Sequence, residues 1–516
     1  MTNFNAIFEA VSKGPSIYAF ALALLSLALV LVYRLFFSPL AHIPGPKLAA
    51  VTGLVETYYD LVKGGQFIFK LQEWHQQYGP IIRITPWEVH ILDPEFFDEM
   101  YSAKSKNNKI AHLKHRLGIT LATSEQIEHA EHHRRRSAIA PLFATARVRE
   151  FSGYLQSSMD KLCSRLRQEY AGTGKVLRLD DVFAAWTTDA VTWYAMAMTY
   201  GCAEHPDFKA EFTNASEGLM EAIHALTHVP WLARVLSMVP PKMLAKLNAQ
   251  MGALGAFYAE IDKQIRLIME GENKGYEDVA HRTVFHEILS SKILRPDEKT
   301  PEVLSDEAQS IVLAGIETTK AIMVTACFWV LEKPEVNEQL RKELEAAVPD
   351  PSNMPSLSSL QNLPYLSAVV QEATRLMGGV AQRLFRTNPR APLQYGAYTL
   401  PPGTIFGMSI TLQQMHPDIF PGPHEFRPER WLNGGLAPNG RPLSRYLVAF
   451  GKGPRMCLGM NLANAELYIG LATFFRNIDA TLFETDRDAV DVAHDYFLPR
   501  PKHGTKGVRV TVNQQH

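Results

Sequence analysis

Apolar positions run without a charge from Ile17 to Tyr33, as I-Y-A-F-A-L-A-L-L-S-L-A-L-V-L-V-Y, and Leu35, Phe36 and Phe37 carry the run past Arg34. A helix that spans a bilayer needs roughly 20 such residues, with a flanking arginine free to reach back to the interface. The run exceeds a signal-peptide core of about 7–15 residues and no A-x-A-like cleavage site follows, so it reads as a retained transmembrane helix. Arg34 and Lys47 on its C-terminal flank, against Glu9 and Lys13 on the other, favour a cytosolic body. Next, Pro39, Pro44 and Pro46 predict an extended, stiff connector over 39–47. The expected organisation is an anchor over 1–38 and one body over 39–516.

In the body, Ile81–Thr85 and Val89–Leu92 are short β-branched runs separated by Pro86-Trp87, which predict a small sheet. From about Ile127 to Phe385 the spacing of apolar residues is mostly helical, broken by prolines including Pro141, Pro240-Pro241 and Pro334. One helical pattern runs from about Ser305 to Glu332. Beyond Arg386, Gly and Pro become frequent, and long helices cease until Asn461–Phe475. The fold class is therefore mainly α with a small β-sheet region behind an N-terminal transmembrane helix.

Composition narrows the function. The 516 residues carry 52 Lys plus Arg against 53 Asp plus Glu, which supplies no basic field for a nucleic acid. Four scattered cysteines exclude a disulfide framework or a paired C-x-x-C zinc site, in keeping with a reducing compartment. The sequon Asn214-Ala-Ser216 lies on the wrong side of the membrane for glycosylation and reads as silent.

Cysteine 457 is set apart by its surroundings, Phe450-Gly-Lys-Gly-Pro-Arg-Met-Cys457-Leu-Gly459. The glycines let the backbone turn sharply or approach a flat partner. A helix is expected to begin near the cysteine, and its N-terminus, with Arg455 and Lys452, favours a thiolate suited to ligate a metal. Upstream, Glu372-Ala-Thr-Arg375 places a carboxylate and a guanidinium on one helical face. In the long helix, Ala314-Gly315-Ile316-Glu317-Thr318-Thr319 puts an acid and two alcohols between apolar flanks, and Gly315 leaves room for a ligand against the backbone.

In this order, with Phe426-Arg-Pro-Glu-Arg430-Trp431 between, these segments resemble the cytochrome P450 family, whose haem loop reads F-x-x-G-x-R-x-C-x-G. The resemblance covers nearly the whole chain from the P-G-P connector onward, and its wording is most similar to microsomal fungal members, including the trichodiene-oxygenase-like group of secondary metabolism. It implies the P450 fold, haem b (iron protoporphyrin IX) ligated by the Cys457 thiolate, and a haem-binding role for Phe450. It further implies proton delivery during oxygen activation by Glu317 and Thr318, and a structural lock made of Glu372, Arg375 and Arg430. Propionate binding falls to Arg136, Arg386 and Arg455, with His132 standing where the family often has tryptophan; either side chain can donate a hydrogen bond. Arg134 and Arg135 beside them read as a solvated face.

The implied reaction is insertion of one oxygen atom of O2 into a C–H or C=C bond of an apolar small molecule, a terpenoid, meroterpenoid or polyketide intermediate. No G-x-G-x-x-G fingerprint follows a strand, so electrons are expected from NADPH-cytochrome P450 reductase, with cytochrome b5 as a further donor. The implied location is the endoplasmic reticulum membrane, single-pass, with the catalytic body cytosolic. A haem-thiolate isomerase or dehydratase that needs no reductase is disfavoured by Glu317-Thr318. A non-catalytic haem-binding protein is the remaining alternative. Substrate contacts are expected around 95–125 and 205–250.

Overall fold

The computed structural model describes residues 2–198, 200–239, 243, 249–279 and 281–514. Residues 240–242 and 244–248 of the expected substrate-contact stretch, with Pro240-Pro241, lie outside the described residues.

Helix α1 (Thr2–Val32) ends in a wider turn over Tyr33–Phe37, and its apolar side chains from Ile17 onward face outward. A membrane is where so much exposed apolar surface becomes favourable. The long helix Pro301–Glu332 is also apolar enough and long enough to span a membrane, though less apolar than the first, but it is mostly buried in the body, which makes it a core element.

The connector, expected to be extended and stiff, instead turns at Ser38–Ala41 and Leu40–Ile43 and packs on the body. Leu40 and Ile43 are buried among sheet residues, and Arg83 N–H donates to the Pro44 carbonyl at 2.7 Å. The buried Arg83 guanidinium donates to Arg34 O at 2.7 Å, Ser38 Oγ at 3.2 Å and Pro86 O at 2.8 Å. Residues 34–46 are thus docked on the body, because a buried guanidinium needs all its acceptors.

The predicted strands form β1 (Ile81–Arg83) and β2 (Glu88–Ile91), antiparallel with Ile82 opposite His90. Strands β3 (Arg386–Thr387) and β4 (Ile405–Gly407) complete a four-stranded sheet in the order β1-β2-β4-β3. Near the C-terminus, β5 (His494–Tyr496) and β6 (Leu498–Arg500) make a hairpin.

The helices that carry the site are α2 (His129–Ile139), α3 (Thr145–Tyr170), α4 (Leu179–Met196), α5 (Ala210–Glu221), α6 (Ile223–His228), α7 (Pro301–Glu332), α8 (Pro364–Met377) and α9 (Met460–Asn477). Helix α7 starts four residues before the expected Ser305 because Thr300 caps it, its side chain accepting from Val303 N–H, with Pro301 in the first turn. It packs against α4, α8 and α9, and Val191, Ile316, Phe328 and Phe474 share one large buried cluster. Gly315 serves this packing and makes no ligand space: a Cβ there would lie 2.9 Å from Val191 Cγ2.

Candidate active site

Helix α9 begins at Met460, with Gly459 as its cap, so Cys457 stands in the loop just ahead of it. Its N–H donates to the Phe450 carbonyl at 2.8 Å, which closes the loop into a ring. Gly453 has φ +71°, and a Cβ there would meet the Tyr101 carbonyl at 2.3 Å. Only glycine lets the loop seat so closely.

Among the four free cysteines, Cys457 alone is exposed. Neighbouring atoms nevertheless crowd its sulfur, so it lies in a recess open on one side. Burial pushes the thiol pKa up, against the pull of Gly459 N–H, the Arg136 charge and Met460 N–H. The expected help from Arg455 and Lys452 is absent. Arg455 donates to the Gln126 and Ile127 carbonyls at 2.9 and 2.8 Å, and Lys452 is held by Asp98 and the Arg445 carbonyl. A thiol in this setting becomes a thiolate through a bound metal ion.

Above the loop, the sequence-predicted propionate residues converge. Arg386 and Arg455 line one recess together with Tyr101, Asn107, His129 and Pro454. The charges of Arg136, Arg386, Arg455 and Lys109 all act on His132. Burial and these cations drive the His132 pKa down to about 2, so it is neutral and has one N–H to donate. Its Nδ1 is buried without a partner. Burial, then the charge of Arg386, lowers Arg455 to about 9, and burial lowers Arg136 and Arg386.

No carboxylate among the described residues pairs with Arg136, Arg386 or Arg455. Glu125 is taken by Lys109 at 3.1 Å, and Glu128 by Asn108 at 2.8 Å. Crowded cations with spare donors are costly unless anions arrive. Two carboxylates beside a thiol-facing macrocycle meet that need, so the donor set fits a haem. Lys109, Tyr101 and His129 escaped the sequence reading, and no local motif marks them.

The neighbouring arginines depart from the expected solvated face. Arg135 is buried, with Nη2 3.4 Å from Glu307, and Arg134 pairs with Glu131 at 2.6 Å and with Glu298. They tie α2 to α7 and to the loop before it.

In α7, Thr318 Oγ1 donates to the Ala314 carbonyl at 2.7 Å, which leaves its oxygen able to accept. Thr318, Ala321, Met377, Gly379, Leu498 and Pro499 line a second pocket together with the charged pair Glu317 and Arg500. Glu317 is buried in a network: Ser216 Oγ donates to it at 2.6 Å, Lys320 Nζ at 2.8 Å and Arg500 Nη2 at 3.1 Å. Burial pushes its carboxyl up, but Lys320, Arg500 and these hydrogen bonds outweigh it and hold the pKa at about 2. Ser216, the sequon residue read as silent, is thus a partner of the candidate acid. It lies 101 positions away, so nothing local announces it.

A model of the family described as Cytochrome P450 matches residues 44–504. Cytochrome P450 monooxygenase orf6 of Eupenicillium brefeldianum is 44% identical over 503 residues, covering 96% of this chain and 99% of that protein. Cytochrome P450 monooxygenase sdnE of Sordaria araneosa is 38% identical, covering 94% of this chain and 95% of its own. Tryptophan 6-hydroxylase fscE of Fusarium equiseti is 35% identical, covering 98% and 97%.

Proposed function

The chain belongs to the cytochrome P450 family, and from that premise we propose that Cys457 is its thiolate ligand, with His132, Arg136, Arg386 and Arg455 holding the two propionates. Haem b with cysteine ligation is the family's cofactor, and the enzyme is a monooxygenase. The observation that carries the assignment of residues is the convergence of Arg136, Arg386 and Arg455, none paired with a carboxylate among the described residues, near an exposed thiol. When bound, haem supplies the activation of dioxygen, one atom of which enters the substrate while the other leaves as water.

The protein's own residues supply position and protons. Phe450 and Gly453 shape the loop that presents Cys457. Thr318 Oγ1, its proton on Ala314, accepts a hydrogen bond at the pocket surface. Glu317 is ionised and pinned, so it receives a proton only when Lys320 or Arg500 releases it, which suits the end of a proton route better than a standing acid. Thr318→Val should lower product formed per NADPH at least tenfold and raise hydrogen peroxide release, general acid–base groups being worth about 10²–10⁴. Unchanged coupling in a peroxide assay would make Thr318 merely structural.

The proposed electron donor is NADPH-cytochrome P450 reductase, with cytochrome b5 as a further donor. The proposed substrate is an apolar ring-bearing intermediate of fungal secondary metabolism, of terpenoid, meroterpenoid or polyketide type. The fungal sources of the relatives support this reading, and a relative named for hydroxylating tryptophan, whose side chain is a fused ring, supports the ring system. Adding terpenoids to the purified ferric enzyme should shift it toward high spin, followed by substrate-dependent NADPH consumption with added reductase. A shift with long-chain fatty acids alone would overturn the ring-system reading.

Residues 1–38 are the proposed anchor, in the endoplasmic reticulum membrane with a cytosolic body over 39–516. Deleting residues 2–32 should release haem-loaded protein from the membrane fraction. Deleting through Ser38 also strips two of the three side-chain acceptors from Arg83, at about 1–3 kcal/mol for a buried donor. The longer deletion should therefore unfold several degrees lower in a thermal melt. Equal midpoints would show that Arg34 and Ser38 do not support the body.

A further inference from the structure

Far from Cys457 in sequence, helix α6 packs against a turn over Tyr58–Val62 that precedes the helix Phe67–Tyr78. His224 and His228, one helical turn apart on α6, both face the buried carboxylate of Asp60. His228 Nε2 is 2.9 Å and His224 Nδ1 3.4 Å from the same oxygen, Asp60 Oδ2. One ligand atom from each of the three residues lies within 4.8 Å of the others. No lysine or arginine among the described residues pairs with Asp60. Arg383, whose charge interacts with Asp60 at longer range, is ion-paired with Glu56.

The remaining ring nitrogens decide where the protons are. His224 Nε2 abuts the carbonyl of Asp495, which can only accept, so Nε2 carries the hydrogen. His228 Nδ1 is 3.2 Å from Thr57 Oγ1, which also reaches the Gly53 carbonyl at 3.3 Å; with the hydroxyl proton on Gly53, Nδ1 donates to Thr57 and leaves Nε2 to Asp60. In that tautomer His224 Nδ1 and His228 Nε2 face Asp60 Oδ2 as potential ligand atoms. His224 Nδ1 is buried with no hydrogen-bond partner, and the histidine is 1% exposed. Three potential ligand atoms converging at one largely buried point form a donor set that a cation can occupy. Metal-ligating histidines are commonly fixed this way, the other N–H held by a carbonyl or hydroxyl.

We propose that Asp60, His224 and His228 form a binding site for a divalent transition cation of the zinc type, which staples α6 to the Tyr58–Val62 turn. Two imidazoles and one carboxylate are a donor set zinc takes, with a fourth position left for water. Ligands at about 2.0–2.1 Å in a tetrahedron stand roughly 3.3 Å apart, so the separations of 2.9 and 3.4 Å need little adjustment. Half-buried His228 gives the ion a way in.

The test uses the full-length haem-loaded enzyme, stripped with a chelator and titrated with zinc sulfate against a chromophoric competitor. Wild type should bind one equivalent that the double variant His224→Ala/His228→Ala lacks. Thr57→Val, which removes only the hydrogen-bond partner of His228, should weaken that binding about 10–100-fold. Equal zinc stoichiometry and affinity in wild type and the double variant would overturn the site. So would a failure of wild type to bind zinc at all. If the double variant does not load haem, X-ray absorption on the zinc-loaded wild type decides: two imidazoles with a carboxylate oxygen support the site, and any other ligand set rejects it.

Discussion

Replacing Cys457 by alanine should abolish monooxygenase turnover and remove the thiolate-type red-shifted Soret band from the reduced carbon-monoxide complex. The fold should survive, because the loop is held by backbone: the position 457 N–H still reaches the Phe450 carbonyl, and Gly453 still seats on Tyr101. The three other cysteines cannot substitute, since each is enclosed in the hydrophobic core, where no group of a haem's size reaches it. Circular dichroism should therefore stay near wild type while the absorption band is lost. A variant that kept the band would move the ligand elsewhere. Soft thiolate ligation is the feature of the site that no neighbouring side chain can replace.

Glu372→Ala should be the most destabilising single change in the body. The carboxylate is fully buried and accepts from Arg375 Nε at 2.9 Å and Nη2 at 2.8 Å, from Arg430 Nε at 3.0 Å and from Trp431 Nε1 at 2.8 Å. The Arg427 backbone N–H adds a fifth bond at 3.1 Å. Removing the acid strands two buried guanidiniums, a change worth about 3–5 kcal/mol for a broken buried ion pair. Expression should yield little haem-loaded protein, and urea unfolding should shift by that amount. Burial raises the Glu372 carboxyl, yet the Arg375 bonds outweigh it and leave the pKa below its ordinary 4.5. A depressed carboxyl stabilises the fold above that value and loses its contribution as pH falls below it. Wild type and Glu372→Ala should accordingly converge in stability on acid titration. A variant within 1 kcal/mol of wild type at neutral pH would show that the lock is dispensable.

This lock also shows how far the sequence reaches. Glu372 and Arg375 share a helix face by spacing alone, and a resemblance in order added Arg430. What spacing could not supply is that the pair is wholly buried, since an i,i+3 ion pair on an open helix reads the same. Nor could it supply Trp431 as a donor to the same carboxylate. At α7 the sequence marked Glu317 and Thr318 correctly as a polar pair in an apolar helix, but Gly315 was misread, because the atom that crowds it, on Val191, belongs to another helix.

The sequence by itself determined whatever depends on neighbours within a turn or a short loop: the apolar run of the N-terminal helix, the β1–β2 pair, the span of α7 to within about one turn, and the glycine loop that holds Cys457. Tertiary structure alone decided whatever depends on charge brought together across hundreds of residues. Arg136, Arg386 and Arg455 become one cation cluster only when three separate segments close on it. Glu317 becomes ionised and pinned only when Ser216 and Arg500 arrive. Arg135 turns inward only because Glu307 waits on α7, and Asp60 meets His228 across 168 positions. The physical reason is the same in each case. Local pattern fixes backbone conformation and which face is apolar, whereas the protonation and pairing of a polar group follow from its final desolvation and its final partners, and both are properties of the closed fold.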